Sequence, residues 1–543
     1  MNTIPSGRVD DNLFTKNPEH WADVIAKRVL ESFPDLPLYT CAAGISPSGV
    51  VHFGNFRDVM TSLCVANALK KQGKNVRILF SWDEYDRFRK VPMGVPDSWR
   101  EHIGKPLTSV PDPSGEFPSY AKRFETEFEV AMRELNIDLV YRFQTDEYTK
   151  GAYAERVIHA MKYRVEIADI LLAGMSEIGK EEKKIDPEEY KKNFYPIEIY
   201  SRFTGNDHTE VVKYDGDAEV TYRCLDTNRE ETIDLRRDFI VKLVWKADWP
   251  MRWDVEGVVF EPGGKDHASP GSSFDVGSVI ARKIYNFEPP VFIGYEFVGV
   301  QGLGAKMSGS KGNAVSPKQL LEIYEPSLLK WLYTRKNPRQ AFTLAFDTEI
   351  YRQYDEFDRE NISLASGALE KSDTRALEIA YGENKPAANP IPFKQAVAFG
   401  QILQWNEQKL IELTAALGLK FNPASVHERL SKARAWLERY NSSEVIALLQ
   451  NKNTEYIATL SDNQKKHIAA LHALLLQPID TIVTLEEKIY DIPKDPTLSQ
   501  KENSPRQRAF FKDVYMLLIG KDTGPRLSTF LWAANRERIM RLL

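Results

Sequence analysis

Cysteine is scarce in this chain: Cys41, Cys64 and Cys224 are the three among 543 residues. They form no disulfide framework and no metal-ligand spacing, which fits a reducing, cytoplasmic setting. Long apolar runs are missing too. No stretch of eighteen apolar residues occurs, so no membrane-spanning helix is expected, and the polar Met1 to Asn12 lacks the apolar core of a secretory signal. Neither sign of charge dominates. With 72 Lys and Arg against 77 Asp and Glu, the net charge of -5 excludes indiscriminate nucleic-acid binding but allows local basic patches. No fixed-period repeat emerges, which excludes a solenoid. What remains is a chain of ordinary composition, too long for one core, for which two to four domains are expected.

Residues 37 to 90 read as a β-α-β unit. Leu38 to Cys41 suits a short buried strand and is followed by a turn from Gly44 to Gly49. Phe56, Met60, Leu63 and Ala66 then recur at helical spacing, and Gly73 stands where that helix stops. Val76 to Phe80 reads as the second strand. In an open parallel sheet ligands bind beyond the carboxyl ends of the strands, so both following turns are candidate sites. Residues of about 95 to 240 read as an insertion with polar helices (Tyr120 to Leu135, Ala154 to Leu172), a mixed-charge stretch at Glu177 to Lys192 and a β segment at Glu219 to Leu235. The sheet is expected to resume at Phe239 to Val244 and at Val291 to Val298. Ser316-Pro317-Lys318-Gln319 carries the signature of a capped helix start. The domain reading is therefore 1–335 as a sheet domain with its insertion, 336–390 as a connecting segment and 391–543 as an all-helical domain. In the last, Phe399, Leu403, Leu410, Leu413 and Leu417 share one helical face ended by Gly418, and Val445 to Leu449, Ile468 to Leu476 and Phe510 to Leu518 repeat the pattern.

Two strings carry chemistry. The first, Pro47-Ser48-Gly49-Val50-Val51-His52-Phe53-Gly54-Asn55, looks like a strand-to-helix turn that receives a nucleotide. Gly49 and Gly54 leave room where a Cβ would collide, the free N–H groups of the helix start attract negative charge, and His52 and Asn55 reach toward phosphate. A plain turn with a surface histidine is the alternative. The second, Lys306-Met307-Ser308-Gly309-Ser310-Lys311-Gly312-Asn313, sets two lysines among glycines and serines. Such a loop neutralises charge building on a leaving pyrophosphate, or is simply solvated. Together the strings point to an enzyme that activates a carboxylate with ATP.

These strings resemble the two signatures of class I aminoacyl-tRNA synthetases. The narrower resemblance is to class I lysyl-tRNA synthetase. It rests on Gly44-Ile45-Ser46-Pro47-Ser48-Gly49, His52-Phe53-Gly54-Asn55-Phe56-Arg57, Asp86-Arg87-Phe88-Arg89-Lys90-Val91-Pro92, Trp245-Lys246-Ala247-Asp248-Trp249-Pro250-Met251-Arg252-Trp253 and Gly264-Lys265-Asp266-His267. The matching part spans roughly residues 20 to 340. The resemblance implies a Rossmann-like parallel α/β catalytic domain with an insertion, followed by an all-α anticodon-binding domain. It also implies lysine activation by ATP to lysyl-adenylate, with transfer to tRNA(Lys). Two departures stand out. Gly309 replaces a lysine of the class-wide pattern, so Lys306 and Lys311 would share its role. The insertion lacks the paired cysteines of a zinc knuckle, so neither structural zinc nor another protein-held metal is expected, while Mg²⁺ would accompany ATP.

On this reading His52, Asn55, Lys306 and Lys311 are catalytic. Pro47, Ser48, Gly49, His52, Gly54, Asn55, Lys306, Met307, Ser308 and Ser310 would bind ATP. A lysine pocket needs aromatic walls for the stem and a carboxylate for the ammonium. Trp245, Trp249, Asp248, Tyr295 and Asp83 supply these types, although core packing accounts equally for a tryptophan, and helix capping for Asp83 or Glu84. By resemblance Gly44 and Ser46 touch the α-amino end, and Trp245 and His267 wall the side chain. Arg506, Arg508, Lys512, Arg526, Arg536, Arg538 and Arg541, interleaved with Phe510, Phe511 and Trp532, suit an RNA-binding face or a solvated one. A monomer is expected. The competing readings are a non-catalytic tRNA-binding paralogue, a small-molecule adenylyltransferase, and a synthetase for another amino acid such as glutamate.

Overall fold

The computed structural model describes residues 8–9, 19–176, 180–181, 184–269, 271–302 and 315–543. The chain divides into two compact units. One contains the residues through Leu321 together with Pro326–Leu344 and Ser363–Glu383; the other contains Glu322–Glu325, Ala345–Ile362 and Asn384–Leu543. Residues 336–390 are thus divided between both.

The first unit is built on five parallel strands, β1 (Tyr39–Ile45), β2 (Val76–Trp82), β3 (Val140–Phe143), β4 (Val258–Gly264) and β5 (Val291–Tyr295), in the order β5-β4-β1-β2-β3. Helix α1 (Phe53–Lys71) connects β1 to β2. Of the apolar face read from the sequence, Phe56, Met60 and Ala66 are buried and Leu63 is half-buried, and Val59, Cys64 and Leu69 are fully buried beside them. Because β1 has β4 on one side and β2 on the other, the strand order reverses at β1, and a crevice opens at its carboxyl end.

Two expectations need correction here. Phe239 to Val244 does not enter the central sheet. Its core, Val241–Leu243, pairs antiparallel with Ile197–Ile199, and the central position is taken by β4. A buried apolar triplet satisfies either partner, so its composition does not choose. Ala154 to Leu172 is two helices, Ala154–Lys162 and Arg164–Ala173, broken at Tyr163. The β segment expected at Glu219 to Leu235 is present as two strands, Glu219–Cys224 and Arg229–Asp234, in a three-stranded antiparallel sheet begun by Thr209–Tyr214.

The second unit is helical. Its core gathers around fully buried Trp436, Tyr354 and Phe393, the last two stacked with centroids 4.0 Å apart. The apolar face from Phe399 to Leu417 is not one helix but two, Phe393–Ile402 and Glu407–Ala416, and residues 445–449 form no helix. No described helix is long and apolar enough to cross a membrane.

Candidate active site

The crevice at the end of β1 holds a cavity of about 610 Å³. Its nucleotide side is formed by the start of α1. His52 is the N-cap: its Nδ1 accepts the Gly54 N–H (3.0 Å), while its own N–H donates to Asn55 Oδ1 (3.2 Å). The reciprocal pair satisfies two helix-start donors. Since Nδ1 accepts from a backbone N–H, the proton of the neutral ring sits on Nε2. Burial holds the imidazole below its ordinary pKa, so at neutral pH it is an uncharged donor. Gly54 permits this arrangement, because a Cβ there would come within 2.7 Å of His52 Cε1.

Arg57, one turn along α1, has a different task. It donates to the carbonyls of Glu296 (2.8 Å), Asn337 (3.1 Å), Pro338 (2.8 Å) and Gln340 (2.7 Å), tying the helix to two loops. The Phe53 N–H donates to Val315 O (3.0 Å), so a residue two positions past the second string meets the helix start. The string itself, including Lys306, Met307, Ser308, Ser310 and Lys311, lies outside the described residues.

The opposite wall is aromatic. On helix α2 (Trp245–Glu256) the tryptophans fall at every fourth position. Trp245 stacks on Trp249 (5.1 Å, 16°), Trp249 meets Trp253 (4.9 Å), and the His267 ring stands 5.9 Å from Trp249. Gly44 and Ser46 border the same cavity, as do Tyr295 and Asp83. Ser48 and Gly49 line an adjoining cavity of about 450 Å³ with His52, Asn55, Arg89 and Lys90. Pro47 is buried and lines neither.

The carboxylates are arranged differently from expectation. Asp248 is fully buried and does not reach the cavity. Both of its oxygens are engaged, Oδ1 by the Tyr148 hydroxyl and Oδ2 by Arg252. Asp83 does border the cavity but accepts from Arg252 (2.5 Å), and burial pushes its carboxyl up against that pull. Glu84 follows the structural alternative, capping the helix that starts at Gln144 through the N–H groups of Gln144 and Thr145 (both 2.9 Å).

Several other carboxyls line the cavity, and two of them whose pKa burial raises, Asp58 and Glu261, are not evident from the sequence. Asp58, on the inner face of α1, accepts the Gly44 N–H (3.1 Å) and the Tyr295 hydroxyl. Burial and the neighbouring Glu261 hold it well above the usual carboxylate range. Glu261, in β4, accepts the Trp253 indole N–H (2.6 Å), and burial pushes it up to about 7. An aspartate in the apolar stripe around Phe56 and Met60 was the available signal for Asp58. Glu261 stands beside Pro262-Gly263-Gly264, which reads as a turn and hides the strand.

Such a site can hold a nucleotide at the helix start and, deeper, a cationic side chain between aromatic walls and paired carboxyls. Residues 19–383 match the family model described as tRNA synthetases class I (K). A lysine–tRNA ligase from Streptomyces coelicolor is 38% identical over 567 residues, covering 96% of this chain and 97% of the relative. One from Pyrococcus horikoshii is 33% identical over 536 residues, covering 96% and 99%. Among solved structures, a glutamate tRNA ligase from Elizabethkingia meningosepticum aligns with a TM-score of 0.42 at 11% identity, covering 93% of this chain and 98% of the other.

Proposed function

The chain belongs to the class I (K) family of tRNA synthetases, its activity is ligation of lysine to tRNA, and we propose that the cavity at the end of β1 is where lysine is activated by ATP. The observation that carries this reading is the pair Asp58 and Glu261 beneath the Trp245–Trp249 wall. Two buried carboxyls raise one another, and an ammonium between them lowers both. The methylene stem packs on the indoles, with His267 across from it. An acidic side chain would instead meet Asp58 and Glu261, which disfavours glutamate as substrate. Gly44 and Ser46 hold the α-amino end.

In the first step an oxygen of the lysine carboxylate attacks the α-phosphorus of ATP. A C–O–P bond forms, and the bond to the β-phosphate oxygen breaks, releasing pyrophosphate. The substrate is itself the nucleophile, so the protein supplies positioning and charge stabilisation. His52 donates its Nε2–H to a phosphate oxygen. Asn55, whose Oδ1 is engaged by His52, offers its amide N–H₂. Lys306 and Lys311, with Met307, Ser308 and Ser310, would neutralise charge on the leaving pyrophosphate; Ser48, Gly49 and Gly54 border the nucleotide. Among the described residues no group of three or more His, Cys, Asp or Glu is set to hold a metal. Mg²⁺ would enter with ATP, kept by phosphates and water, and neutralise triphosphate charge. In the second step the 2′-hydroxyl of the terminal ribose of tRNA(Lys) attacks the carbonyl carbon, and AMP leaves. The enzyme is proposed to act as a cytoplasmic monomer, in keeping with three free, buried cysteines.

The test is amino-acid-dependent ATP–pyrophosphate exchange with all twenty amino acids, with and without tRNA. Exchange confined to lysine supports the pocket. Exchange with a different amino acid keeps the family and rejects the lysine assignment. Folded protein that binds tRNA without exchange is a non-catalytic paralogue.

A further inference from the structure

The wall of the lysine pocket has a support that lies far from it in the chain. Arg8 and Val9 run alongside β5, the edge strand of the central sheet. Arg8 bridges Phe292 in the parallel sense, and the Val9 N–H donates to Phe292 O (3.0 Å). Val9 is buried there, and its own carbonyl accepts from Arg339 (2.7 Å). An open edge strand is a liability, and these two residues cover part of it. That task is met by backbone and by Val9. It places no demand on the side chain at position 8.

The Arg8 guanidinium instead reaches the segment that carries His267. Its Nη2 donates to Ser269 O (2.9 Å) and pairs with Asp275 Oδ1 (2.8 Å), with Ser272 Oγ at 3.5 Å. Each partner is tied in turn to the stretch that follows β4. Ser272 Oγ donates to the His267 carbonyl, and Ser269 Oγ donates to the Lys265 carbonyl (3.4 Å). Asp275, in the first turn of α3 (Ser273–Ile284), accepts the Gly271 N–H through its second oxygen (2.9 Å). The strand residue that Arg8 and Val9 pair with backs the same wall. Phe292 stacks on Phe274 of α3 (4.0 Å, 16°), and its ring stands 6.4 Å from Trp249. One remote cation thus sits behind the backbone of His267, whose ring faces Trp249. A side chain that walls a substrate holds its geometry only when its own backbone is supported. On the reading that His267 walls the lysine side chain, on which this inference rests, we propose that Arg8 is a positioning residue for lysine activation. It fixes His267 through Ser272 and Asp275 and does not itself border the cavity. The Arg8–Asp275 pair is partly exposed, with side chains 23% and 32% accessible. Its loss should therefore cost the fold little and be read in the pocket.

The test is ATP–pyrophosphate exchange by the full chain, with tRNA present, at varied lysine and at varied ATP. Arg8→Ala is expected to raise KM for lysine about 10-fold, while kcat and KM for ATP stay within about 2-fold. Asp275→Asn removes the charge from the other end of the pair and keeps an oxygen for the Gly271 N–H. It is expected to shift KM for lysine in the same direction. Arg8→Lys, which brings an ammonium toward the same oxygens, is expected to recover most of the loss. The cycle with His267→Ala separates positioning from general support. If Arg8 acts through His267, Arg8→Ala raises KM for lysine no further once the ring is gone. Full additivity, equal rises in KM for lysine and for ATP, or an unchanged KM for lysine in both Arg8→Ala and Asp275→Asn overturns the proposal. If His267→Ala itself leaves KM for lysine unchanged, or the wild type activates no lysine, the pocket reading falls, and this inference falls with it.

Discussion

Each unit buries an arginine between two carboxylates, and the two arrangements differ in how completely the guanidinium is engaged. In the helical unit Arg429 uses every N–H. Nε donates to Glu325 (2.6 Å), the terminal nitrogens donate to Asp358 (both 2.7 Å), and further bonds reach Ile391 O (2.7 Å) and the second oxygen of Glu325 (3.5 Å). It is 1% exposed and borders none of the cavities described. In the sheet unit Arg252 donates to Asp83 (2.5 Å), Ser81 (3.2 Å) and Asp248, but its Nε has no partner among the described residues. It also borders the cavity, with the Trp245 ring 5.8 Å away. A saturated buried network rigidifies a core; an incompletely satisfied one costs stability. The comparison separates an arginine that holds a fold from one that shapes a site.

The sharpest break of this contrast is truncation of each arginine. Arg429→Ala leaves Glu325 and Asp358 buried without their cation and should cost about 3–5 kcal/mol of stability, read by urea unfolding of the helical unit, with lysine affinity by calorimetry unchanged. Arg252→Ala should cost a similar amount in the sheet unit and should also abolish lysine binding. Equal loss of lysine binding in both variants would erase the distinction.

Next in size is Asp58→Asn. Removing a charged acceptor from the proposed ammonium site should cost about 2–3 kcal/mol of lysine affinity, roughly 30- to 150-fold in KM, with kcat nearly kept because the ammonium is remote from the reacting carboxylate. Pyrophosphate exchange at varied lysine measures both parameters. A fall in kcat alone would place Asp58 elsewhere in the mechanism.

A smaller effect is expected from Glu261. Its folded pKa of about 7 exceeds the ordinary glutamate value of about 4.3. The folded chain therefore holds a proton that the unfolded chain has released between these limits. The stability it contributes is complete at about pH 4 and is lost as pH rises to about 7, amounting to about 2 kcal/mol for a partly exposed group. Denaturation at several pH values should show this slope in the wild type and its absence in Glu261→Gln. The last prediction concerns the same carboxyls. Lysine binding near pH 6.5 should release a fraction of a proton, read as a dependence of calorimetric enthalpy on buffer ionisation. Uptake instead of release would contradict the ammonium pairing.

Legibility differed between elements for identifiable reasons. The β1–α1–β2 unit was readable because glycines marked its turns and Phe56, Met60 and Leu63 kept helical period. The first string and the Trp245–Trp249–Trp253 series were readable because each sets particular residue types at short spacing. The break at Gln404–Trp405 was not, since the leucine period runs on from Leu403 to Leu410 and no glycine or proline interrupts it. β4 was hidden by its own Pro262-Gly263-Gly264 ending.

By itself the sequence determined the chemistry on offer: a glycine-bounded histidine at a helix start, a lysine-bearing loop and a row of tryptophans, all recognisable within a few residues. Only the tertiary structure decided which carboxylates meet the cavity. Asp248 and Asp58 are both acidic residues on helices, yet Arg252 and Tyr148 engage the first beneath the surface, whereas Gly44 and Tyr295 hold the second at the wall. That choice depends on partners brought from distant parts of the chain. A carboxylate's role follows from the charges and donors packed around it, which local sequence does not contain.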